Sequence, residues 1–552
     1  MDPSQLTLTD ITLRYADHVV LDRLSLTISP GERVGVVGDN GSGKSTLLGV
    51  LAGTLEPQNG TRVVHAPGGL GHLTQSLDLP PASSVGAAID HLLADVRELE
   101  AQITALERTL GTLADDELGA ALDRYADLTA RLDSRGGRDA DHRVDVALHR
   151  LGLPALDRTR TLGTLSGGER SRLALAGTLA ADPELLLLDE PTNDLDDDAL
   201  DWLTQRLRDH AGTVVAATHD RAFLADLTTT LVEVDGGAAR RYGAGYAGYL
   251  AAKEAEREQA RLAYERWRAD LGRQRRLVDA NAERMDQIPR KLPMASFGSG
   301  AFRSRSRTHG ATSRIRNAKE RVRRLTGSPA ERPAERAEFR TDVGTTADAG
   351  TIGGAAVELR EVDVHRRLRV PDLTLAPGEH VLVTGANGAG KSTLLGVVAG
   401  EVVPDAGTVH TSGVVGHLRQ AATLTARDGR TVLDAFAAGR AGDLEEQATD
   451  LLATGLLGPD DLRRIVGTLS QGQRRRLELA RLVTSTTDVL LVDEPTNHLV
   501  PALVEELERA FAAYAGTLVL VSHDRLMRER FRGRRVVLDG GAILADTSRA
   551  PL

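Results

Sequence analysis

A glycine-rich segment that occurs twice constrains the fold of this 552-residue chain more than any other feature. The first copy, Gly38–Thr46, reads GDNGSGKST, and the second, Gly385–Thr393, reads GANGAGKST. Each copy follows a strand-like apolar run and precedes a helix-forming run, which is the context of a Walker A phosphate-binding loop. Glycines let backbone N–H groups close around phosphates, and the helix N-terminus adds a favourable dipole. The sequence therefore predicts an α/β fold with two phosphate-binding loops.

Both loops carry the residue types that bind a nucleotide and its metal ion. The lysine would contact the β- and γ-phosphates, and the serine after it would bind Mg²⁺. The candidate nucleotide contacts are Gly38, Asn40, Gly41, Gly43, Lys44, Ser45 and Thr46 in the first loop, and Gly385, Asn387, Gly388, Gly390, Lys391, Ser392 and Thr393 in the second.

The same ordered series of motifs follows each loop. The series comprises a glutamine (Gln75, Gln420), a signature motif (165–169, LSGGE; 469–473, LSQGQ), an Asp-Glu pair ending an apolar strand (Asp189-Glu190, Asp493-Glu494) and a histidine after another apolar run (His219, His523). A histidine after a strand also occurs in capped turns, but its place in this series favours a functional role. The last three members all repeat at 304 residues, so the chain contains one fold twice. The first half has 41 extra residues before its signature motif.

This series resembles the ABC ATPases, and the sequences DEPTN at 189–193 and DEPTNH at 493–498 resemble the ABC-F family specifically. The resemblance covers essentially the whole chain and implies ATP and Mg²⁺ as cofactors. It implies two domains in tandem, closing head to tail on two ATP molecules. One site would combine Lys44, Ser45, Gln75, Asp189, Glu190 and His219 with Ser470 and Gly472 of the other half; the second would combine Lys391, Ser392, Gln420, Asp493, Glu494 and His523 with Ser166 and Gly168.

Within those sites, the resemblance implies catalytic and metal-binding roles. The catalytic residues would be Glu190, Glu494, His219 and His523. The Mg²⁺ ligands would be Ser45, Gln75 and Asp189 at one site and Ser392, Gln420 and Asp493 at the other.

Three departures from the internal symmetry predict unequal sites. Tyr15 fits an aromatic ring that stacks on adenine, but its counterpart is Arg366, whose guanidinium can also stack on a base. The other two departures are Gln471 in place of Gly167 and Val500 in place of Asp196.

The extra residues in the first half predict a helical hairpin at about 86–135, here called the arm. One apolar seam comprises Val96, Leu99, Ile103, Leu106 and Leu110, and a second comprises Leu118, Leu122, Tyr125, Leu128 and Leu132. The resemblance implies that this arm contacts the ribosome, and its 11 acidic and 5 basic residues favour a basic ribosomal protein over RNA as its partner there. The alternative is a lid packed on its own domain.

A basic segment lies between the two halves. Residues 287–330 carry a net charge of about +10, whereas the chain carries −10. A helix over Tyr246–Glu283 would project the tip, 287–311, by about 60 Å, and a second helix, 312–325, would return. The tip mixes aromatic and basic residues, which suits RNA. Its candidate ribosome-binding residues are Arg290, Lys291, Phe297, Phe302, Arg303, Arg305 and Arg307. The alternative is a solvated linker.

These features predict four regions: a first ABC domain (1–245), a helical linker (246–330), a flexible connection (331–354) and a second ABC domain (355–552). The absence of cysteine excludes disulfides and Cys-ligated zinc. No apolar run of about 18 residues and no leader at Met1 are present, which favours a cytoplasmic protein. We expect a monomer without a membrane subunit.

The long tip resembles the antibiotic-resistance subgroup of the ABC-F family, especially the tylosin-resistance type. This resemblance implies binding to the 70S ribosome near the tRNA exit site, with the tip against 23S rRNA and the arm near exit-site tRNA. Macrolide, lincosamide or streptogramin antibiotics would be displaced from the 50S subunit. Two alternatives are a housekeeping translation factor of the same family and the ATPase subunit of a drug exporter.

Overall fold

The computed structural model describes residues 5–16, 18–74, 77–110, 115–286, 316–330, 339, 354–420, 423–496 and 499–547. Gln75 lies outside the described residues. The ribosome-binding candidates of the tip lie outside them too: Arg290, Lys291, Phe297, Phe302, Arg303, Arg305 and Arg307.

The first half contains two sheets. Its strands are β1 Gln5–Tyr15, β2 His18–Ile28, β3 Arg33–Val37, β4 Asn59–His65, β5 Leu70–Leu73, β6 Leu185–Asp189, β7 Thr213–Ala217, β8 Thr230–Asp235 and β9 Ala238–Tyr242. Strands β2-β1-β4 form an antiparallel sheet, and β5-β6-β7-β3-β8-β9 form a second sheet that is parallel except for β9. Every residue of β6 and β7 is buried, as expected for parallel strands covered on both faces.

The helices of the first half cover these sheets. They are α1 Lys44–Ala52, α2 Val85–Leu92, α3 Ala94–Leu110, α4 Asp115–Ser134, α5 Ala140–Arg150, α6 Gly167–Ala180, α7 Asp197–Arg208 and α8 Arg221–Leu227. One apolar core includes α1 and residues from both sheets, and another lies between α2–α8 and the parallel sheet.

The second half repeats this architecture in one sheet of nine strands. Its strands are β10 Val357–Val364, β11 Leu368–Leu375, β12 His380–Gly385, β13 Ala406–Thr411, β14 Val415–Leu418, β15 Val489–Asp493, β16 Thr517–Val521, β17 Arg534–Asp539 and β18 Ala542–Asp546. The order β14-β15-β16-β12-β17-β18 reproduces the parallel sheet of the first half, and β11 joins the antiparallel strands to it through β18. The predicted α/β fold, used twice, is confirmed.

Helices cover this sheet in the same sequence order. They are α11 Lys391–Val398, α12 Val432–Ala437, α13 Leu444–Ala453, α14 Gln471–Val483, α15 Pro501–Ala513 and α16 Arg525–Arg530. Helices α6 and α14 each begin at a signature motif, and α1 and α11 each begin at the lysine of a glycine-rich loop.

A 42-residue helix, α9 (Gly245–Asp286), leaves the first half, and helix α10 (316–327) returns along it. The Trp267 Nε1–H donates to the Leu325 carbonyl at 2.9 Å, and Arg321 Nη2 lies 3.1 Å from Asp270 Oδ2. The earlier of the two α9 residues contacts the later of the two α10 residues, so the two helices are antiparallel. At about 1.5 Å per residue, α9 is about 60 Å long.

The arm is an antiparallel pair of helices, α3 and α4, and its described residues pack on their own domain at its root. Val96, Leu99 and Ile103 of α3 and Leu128 of α4 are buried in the core of the first half. Leu122 was predicted as part of the second apolar seam, and its side chain is half exposed. The part of α4 that packs against this core begins at Tyr125.

Candidate nucleotide-binding sites

The two glycine-rich loops have a backbone that requires glycine at their first position. Gly38 has φ 155° and Gly385 has φ 149°. A Cβ atom would lie 2.4 Å from the Val234 carbonyl oxygen at Gly38 and 2.1 Å from the Leu538 carbonyl oxygen at Gly385. Each loop therefore turns tightly against the end of the neighbouring strand, β8 or β17.

The lysine of each loop folds back onto the loop that precedes it. Lys44 is buried, and its ammonium donates to the carbonyls of Gly38 at 2.9 Å and Asp39 at 3.1 Å. Burial lowers the pKa of Lys44, while the carboxylates of Glu190 and Asp189 oppose this shift. Among the described residues, two of the three ammonium donors are used in this way, which leaves the third for a phosphate oxygen.

Lys391 of the second loop repeats this arrangement. Its ammonium donates to the carbonyls of Gly385 at 2.8 Å and Ala386 at 3.0 Å. Burial lowers its pKa as well, against the carboxylates of Glu494 and Asp493.

Glu190 and His219 come together at the ends of β6 and β7. Glu190 has φ 50°, a left-handed conformation unfavourable for a side-chain-bearing residue, and its amide donates to the Ala217 carbonyl at 2.8 Å. His219 Nε2 lies 3.5 Å from Glu190 Oε1. Burial raises the pKa of Glu190 to about 7, although Lys44 lowers it. A carboxyl with this pKa is matched to proton transfer near neutral pH.

The second half places Glu494 and His523 in the same way. Glu494 has φ 47°, and His523 Nε2 lies 3.5 Å from its Oε1. The His523 amide donates to Glu494 Oε2 at 3.1 Å, and burial raises the pKa of Glu494 to about 7. The two sites differ in access, since the side chain of His523 is 52% exposed and that of His219 is 20% exposed.

Most of the predicted residues of the second site line one cavity of about 320 Å³, but Gly385, Ser166 and Gly168 are not part of its lining. Its lining comprises Arg366, Arg367, Asn387, Gly388, Gly390, Lys391, Ser392, Thr393, Gln420, Asp493, Glu494 and His523. Arg366 therefore lies at this cavity, where the sequence analysis placed the counterpart of Tyr15. Arg367 was missed, and the sequence signal that could have identified it is the Arg366-Arg367 pair in the turn between β10 and β11.

Tyr15 belongs to a hairpin that lies against the first loop. The hairpin joins β1 to β2, and a Cβ atom at Gly43 of the loop would lie 3.0 Å from Val20 Cγ1. The ring of Tyr15 is half exposed at the end of β1. An aromatic ring in this position is accessible to a ligand bound at the loop.

The signature serines cap the helices that follow them. Ser166 Oγ accepts a hydrogen bond from the Glu169 amide at 3.2 Å, and Ser470 Oγ accepts one from the Gln473 amide at 3.1 Å. Because the hydroxyl is an acceptor in each cap, its own hydrogen stays available to a phosphate. A Cβ atom at Gly167 would meet nothing within 4 Å, so a side chain such as that of its counterpart Gln471 would fit at this position.

Contacts between the halves bring the second signature helix to the first loop. Arg476 of α14 donates through Nη2 to Asp39 Oδ2 in the first loop. His219 Nδ1 lies 3.3 Å from the Leu499 carbonyl oxygen, and since a carbonyl can only accept, Nδ1 is the donor in this contact. The first glycine-rich loop and its histidine therefore face the signature helix and the segment after Asp493-Glu494 of the other half.

A family model described as "ABC transporter" matches residues 21–193 and 368–497, which contain both glycine-rich loops, both signature motifs and both Asp-Glu pairs. The fold and the paired sites thus define a tandem ABC ATPase, whose domains bind and hydrolyse ATP. Relatives that match almost the full length of the chain identify the family within this class. The chain belongs to the ABC-F family.

The chain is 57% identical over 541 residues to the tylosin resistance ATP-binding protein TlrC of Streptomyces fradiae, and the match covers 98% of each protein. It is 32% identical to the energy-dependent translational throttle protein EttA of Mycobacterium tuberculosis, covering 95% of this chain and 89% of EttA. It is 30% identical to the probable ATP-binding protein YbiT of Escherichia coli O157:H7, covering 94% and 93%. In the part of the chain that the structure describes, no helix is long and apolar enough to cross a membrane.

Proposed function

We propose that this chain uses ATP hydrolysis to protect the bacterial ribosome from macrolide-type antibiotics. The observation that carries the proposal is the 57% identity to a tylosin resistance protein over 98% of both chains. In this proposal the chain acts in the cytoplasm as a monomer, without a membrane subunit. It binds the 70S ribosome near the tRNA exit site and dislodges macrolides, lincosamides or streptogramins from the 50S subunit.

At the first site, Lys44 binds the β- and γ-phosphates and Ser470 and Gly472 of the other half close over the nucleotide. Glu190 accepts a proton from the attacking water, and His219 holds the carboxylate and the γ-phosphate in place. Ser45, Gln75 and Asp189 would hold Mg²⁺, and Tyr15 would stack on adenine.

At the second site the same roles belong to the equivalent residues: Lys391, Ser392, Gln420, Asp493, Glu494 and His523, with Ser166 and Gly168 of the first half. Among the described residues, no cluster of three or more acidic or histidine side chains could hold a metal ion by itself. Nucleotide-bound Mg²⁺ does not need such a cluster, because it keeps several waters and binds substrate phosphates. When bound, Mg²⁺ neutralises phosphate charge.

The length of α9 supports a role for the linker at a distance from the ATP sites. The helix is about 60 Å long, whereas a domain of about 230 residues has a radius of gyration of about 17 Å. We place the first domain at 1–245, the linker at 246–330, the connection at 331–354 and the second domain at 355–552. The tip at 287–311 is the proposed contact with 23S rRNA, and the acidic arm is the proposed contact with exit-site tRNA and a basic ribosomal protein.

Cell-free translation with tylosin tests the proposal. We expect the wild-type chain with ATP to restore protein synthesis in the presence of the drug, and the Glu190→Gln/Glu494→Gln variant to fail because it cannot complete the ATP cycle. A reaction without drug is the control. Restored synthesis with both proteins would contradict the requirement for hydrolysis, and restoration with neither would refute ribosome protection.

The likeness to EttA keeps one second candidate open, a housekeeping translation factor. That function predicts an effect of the wild-type chain on translation without drug and no restoration with it. The exporter alternative predicts co-flotation with membranes, whereas ribosome protection predicts co-sedimentation with ribosomes in an ATP-dependent manner.

A further inference from the structure

The second signature helix, α14, is tied to the catalytic end of its own domain by a buried arginine. Arg475 Nη2 donates to the Asp493 carbonyl at 2.8 Å and to the Glu494 carbonyl at 3.0 Å. Its Nη1 donates to the carbonyl of Arg419, the residue before Gln420. One guanidinium therefore joins the helix, the Asp-Glu pair and the strand end that leads into Gln420.

Glu478, one turn further along α14, holds the other side of the same segment. Its Oε1 accepts hydrogen bonds from the Thr423 hydroxyl at 2.7 Å and the Leu424 amide at 3.2 Å. Its Oε2 lies 3.7 Å from Arg475 Nη1. The segment containing Gln420 is thus fixed to α14 both before and after the glutamine.

The residue next to Arg475 crosses to the other half. Arg476 donates to the Asp39 carboxylate, and the Asp39 carbonyl in turn accepts from the Lys44 ammonium at 3.1 Å. Because Arg475 and Arg476 are consecutive in one helix, a displacement of the second site's Asp-Glu pair moves the residue that contacts the first loop. The path from Glu494 to Lys44 runs through two consecutive residues of α14 and then through Asp39 of the first glycine-rich loop.

The first half lacks the side chains that an equivalent path would need. The counterparts of Arg475 and Glu478 are Ser171 and Ala174, which carry no guanidinium or carboxylate. The counterpart of Asp39 is Ala386, which has no side-chain acceptor for Arg172. Arg172 instead donates to the carbonyls of Gly168 at 3.2 Å and Leu151 at 3.3 Å within its own half.

We propose that Arg475, Glu478 and Arg476 are positioning residues that couple the second ATP site to the first. Nucleotide held by Gln420 and Glu494 sets the position of α14, and α14 sets the position of the second signature motif and of Asp39 around the nucleotide on Lys44. Equilibrium coupling of ATP binding is reciprocal, but the effect on turnover need not be symmetric. First-site turnover therefore depends on the second site through α14, and the reverse path through α6 is missing. The inference rests on the proposed roles of Gln420 and Glu494.

The test isolates each site by disabling the other. Glu494→Gln leaves turnover at the first site, and Glu190→Gln leaves turnover at the second. In the Glu494→Gln background, Arg476→Gln should lower kcat about tenfold or more, the effect of losing one hydrogen bond between charged groups, with KM for ATP changed less than twofold. In the Glu190→Gln background it should leave kcat within twofold. An equal loss in both backgrounds, or none in the first, would overturn the proposal.

Variants of Arg475 and Glu478 distinguish a positioning role from a general loss of folding. Arg475→Lys keeps the positive charge but loses the forked guanidinium, so it should lower kcat in both backgrounds. The matched change Ser171→Ala in the first half should leave kcat unchanged in both. If Arg475→Lys does not fold, Glu478→Gln, which keeps an acceptor for Thr423, takes its place with the same expectation. If the folded variant has the same kcat as its parent in both backgrounds, Arg475 and Glu478 do not position the second site.

Exchanging the charges of Asp39 and Arg476 tests whether these two residues pair directly. Asp39→Arg combined with Arg476→Asp should recover part of the first-site kcat that either single change loses, and a double variant no better than the worse single one would contradict a direct pair. All assays use the full chain without ribosomes. Their outcome is therefore independent of whether the chain protects ribosomes, and loss of ribosome protection alone would leave these rates unchanged.

Discussion

Arg221 forms a buried ionic cluster at the boundary between the halves. It begins α8 of the first half, and its side chain is 0% exposed. Its guanidinium lies 2.9 Å from Glu505 Oε1, 2.9 Å from Glu508 Oε1 and 2.8 Å from Asp524 Oδ1, all in the second half. Tyr246, at the root of α9, donates to Glu505 at 3.2 Å. The cluster therefore joins both halves and the start of the linker.

Replacing Arg221 by methionine would leave three carboxylates facing a neutral side chain. Removing one partner of a buried ion pair costs about 3–5 kcal/mol. Arg530 keeps contacts of 2.9 Å with Glu505 and 3.1 Å with Glu508, so we expect the lower end, about 3 kcal/mol. The energy is lost between the halves, since Arg221 and its three partners belong to different domains.

The chain offers a matched control. Arg525 is the counterpart of Arg221, 304 residues later, and pairs with Asp201 of the first half at 2.7 Å. The side chain of Asp201 is 65% exposed, so Arg525→Met should cost about 0.2–1 kcal/mol. Urea denaturation followed by one probe in each half is the assay. Arg221→Met should lower the urea midpoint of the first transition and separate the transitions of the two halves, whereas Arg525→Met should shift that midpoint only slightly and leave the transitions together. Equal effects of the two changes would refute the assigned role of burial.

Three further predictions concern the ATP cycle and the tip. Glu190→Gln/Glu494→Gln should keep ATP binding and accumulate on ribosomes with ATP, because the water-polarising carboxylates alone are lost; sedimentation equal to wild type would count against coupling of closure to binding. The single variants should differ in residual ATPase rate, because His219 and His523 differ in exposure and Arg366 replaces an aromatic ring at the second site; equal rates would remove the case for unequal sites. Deleting residues 295–305 should abolish drug protection while basal ATPase stays within about twofold, since a helix of about 60 Å separates them from nucleotide; protection by the shortened chain would show that the tip is a spacer.

Motifs that impose a backbone requirement were predictable from the sequence. The positive φ of Gly38 and Gly385 and the strands that precede them follow directly from the glycine-rich pattern, and the repeated offsets predicted a duplicated fold. The linker helix was expected at Tyr246–Glu283 and extends over Gly245–Asp286, because its composition favours helix throughout. Local pattern was sufficient in each of these cases.

The contacts between the halves were not predictable in the same way. Arg221 and Glu508 lie 287 residues apart, and Arg476 and Asp39 lie 437 apart, so no local period links them. Arg475 carried no sequence signal, since one arginine in a run of three does not indicate which one is buried. The exposure of Leu122 was missed for a related reason: helical spacing shows which residues share a face but not how far along a helix its partner extends.

The most direct test of ribosome protection measures release of labelled tylosin from 70S ribosomes. With ATP, the wild-type chain should increase the dissociation rate of the drug. The chain deleted for residues 295–305 should bind ribosomes and hydrolyse ATP without increasing that rate. If the drug leaves at the same rate with the wild-type chain as without any protein, the chain does not protect ribosomes by displacing the antibiotic.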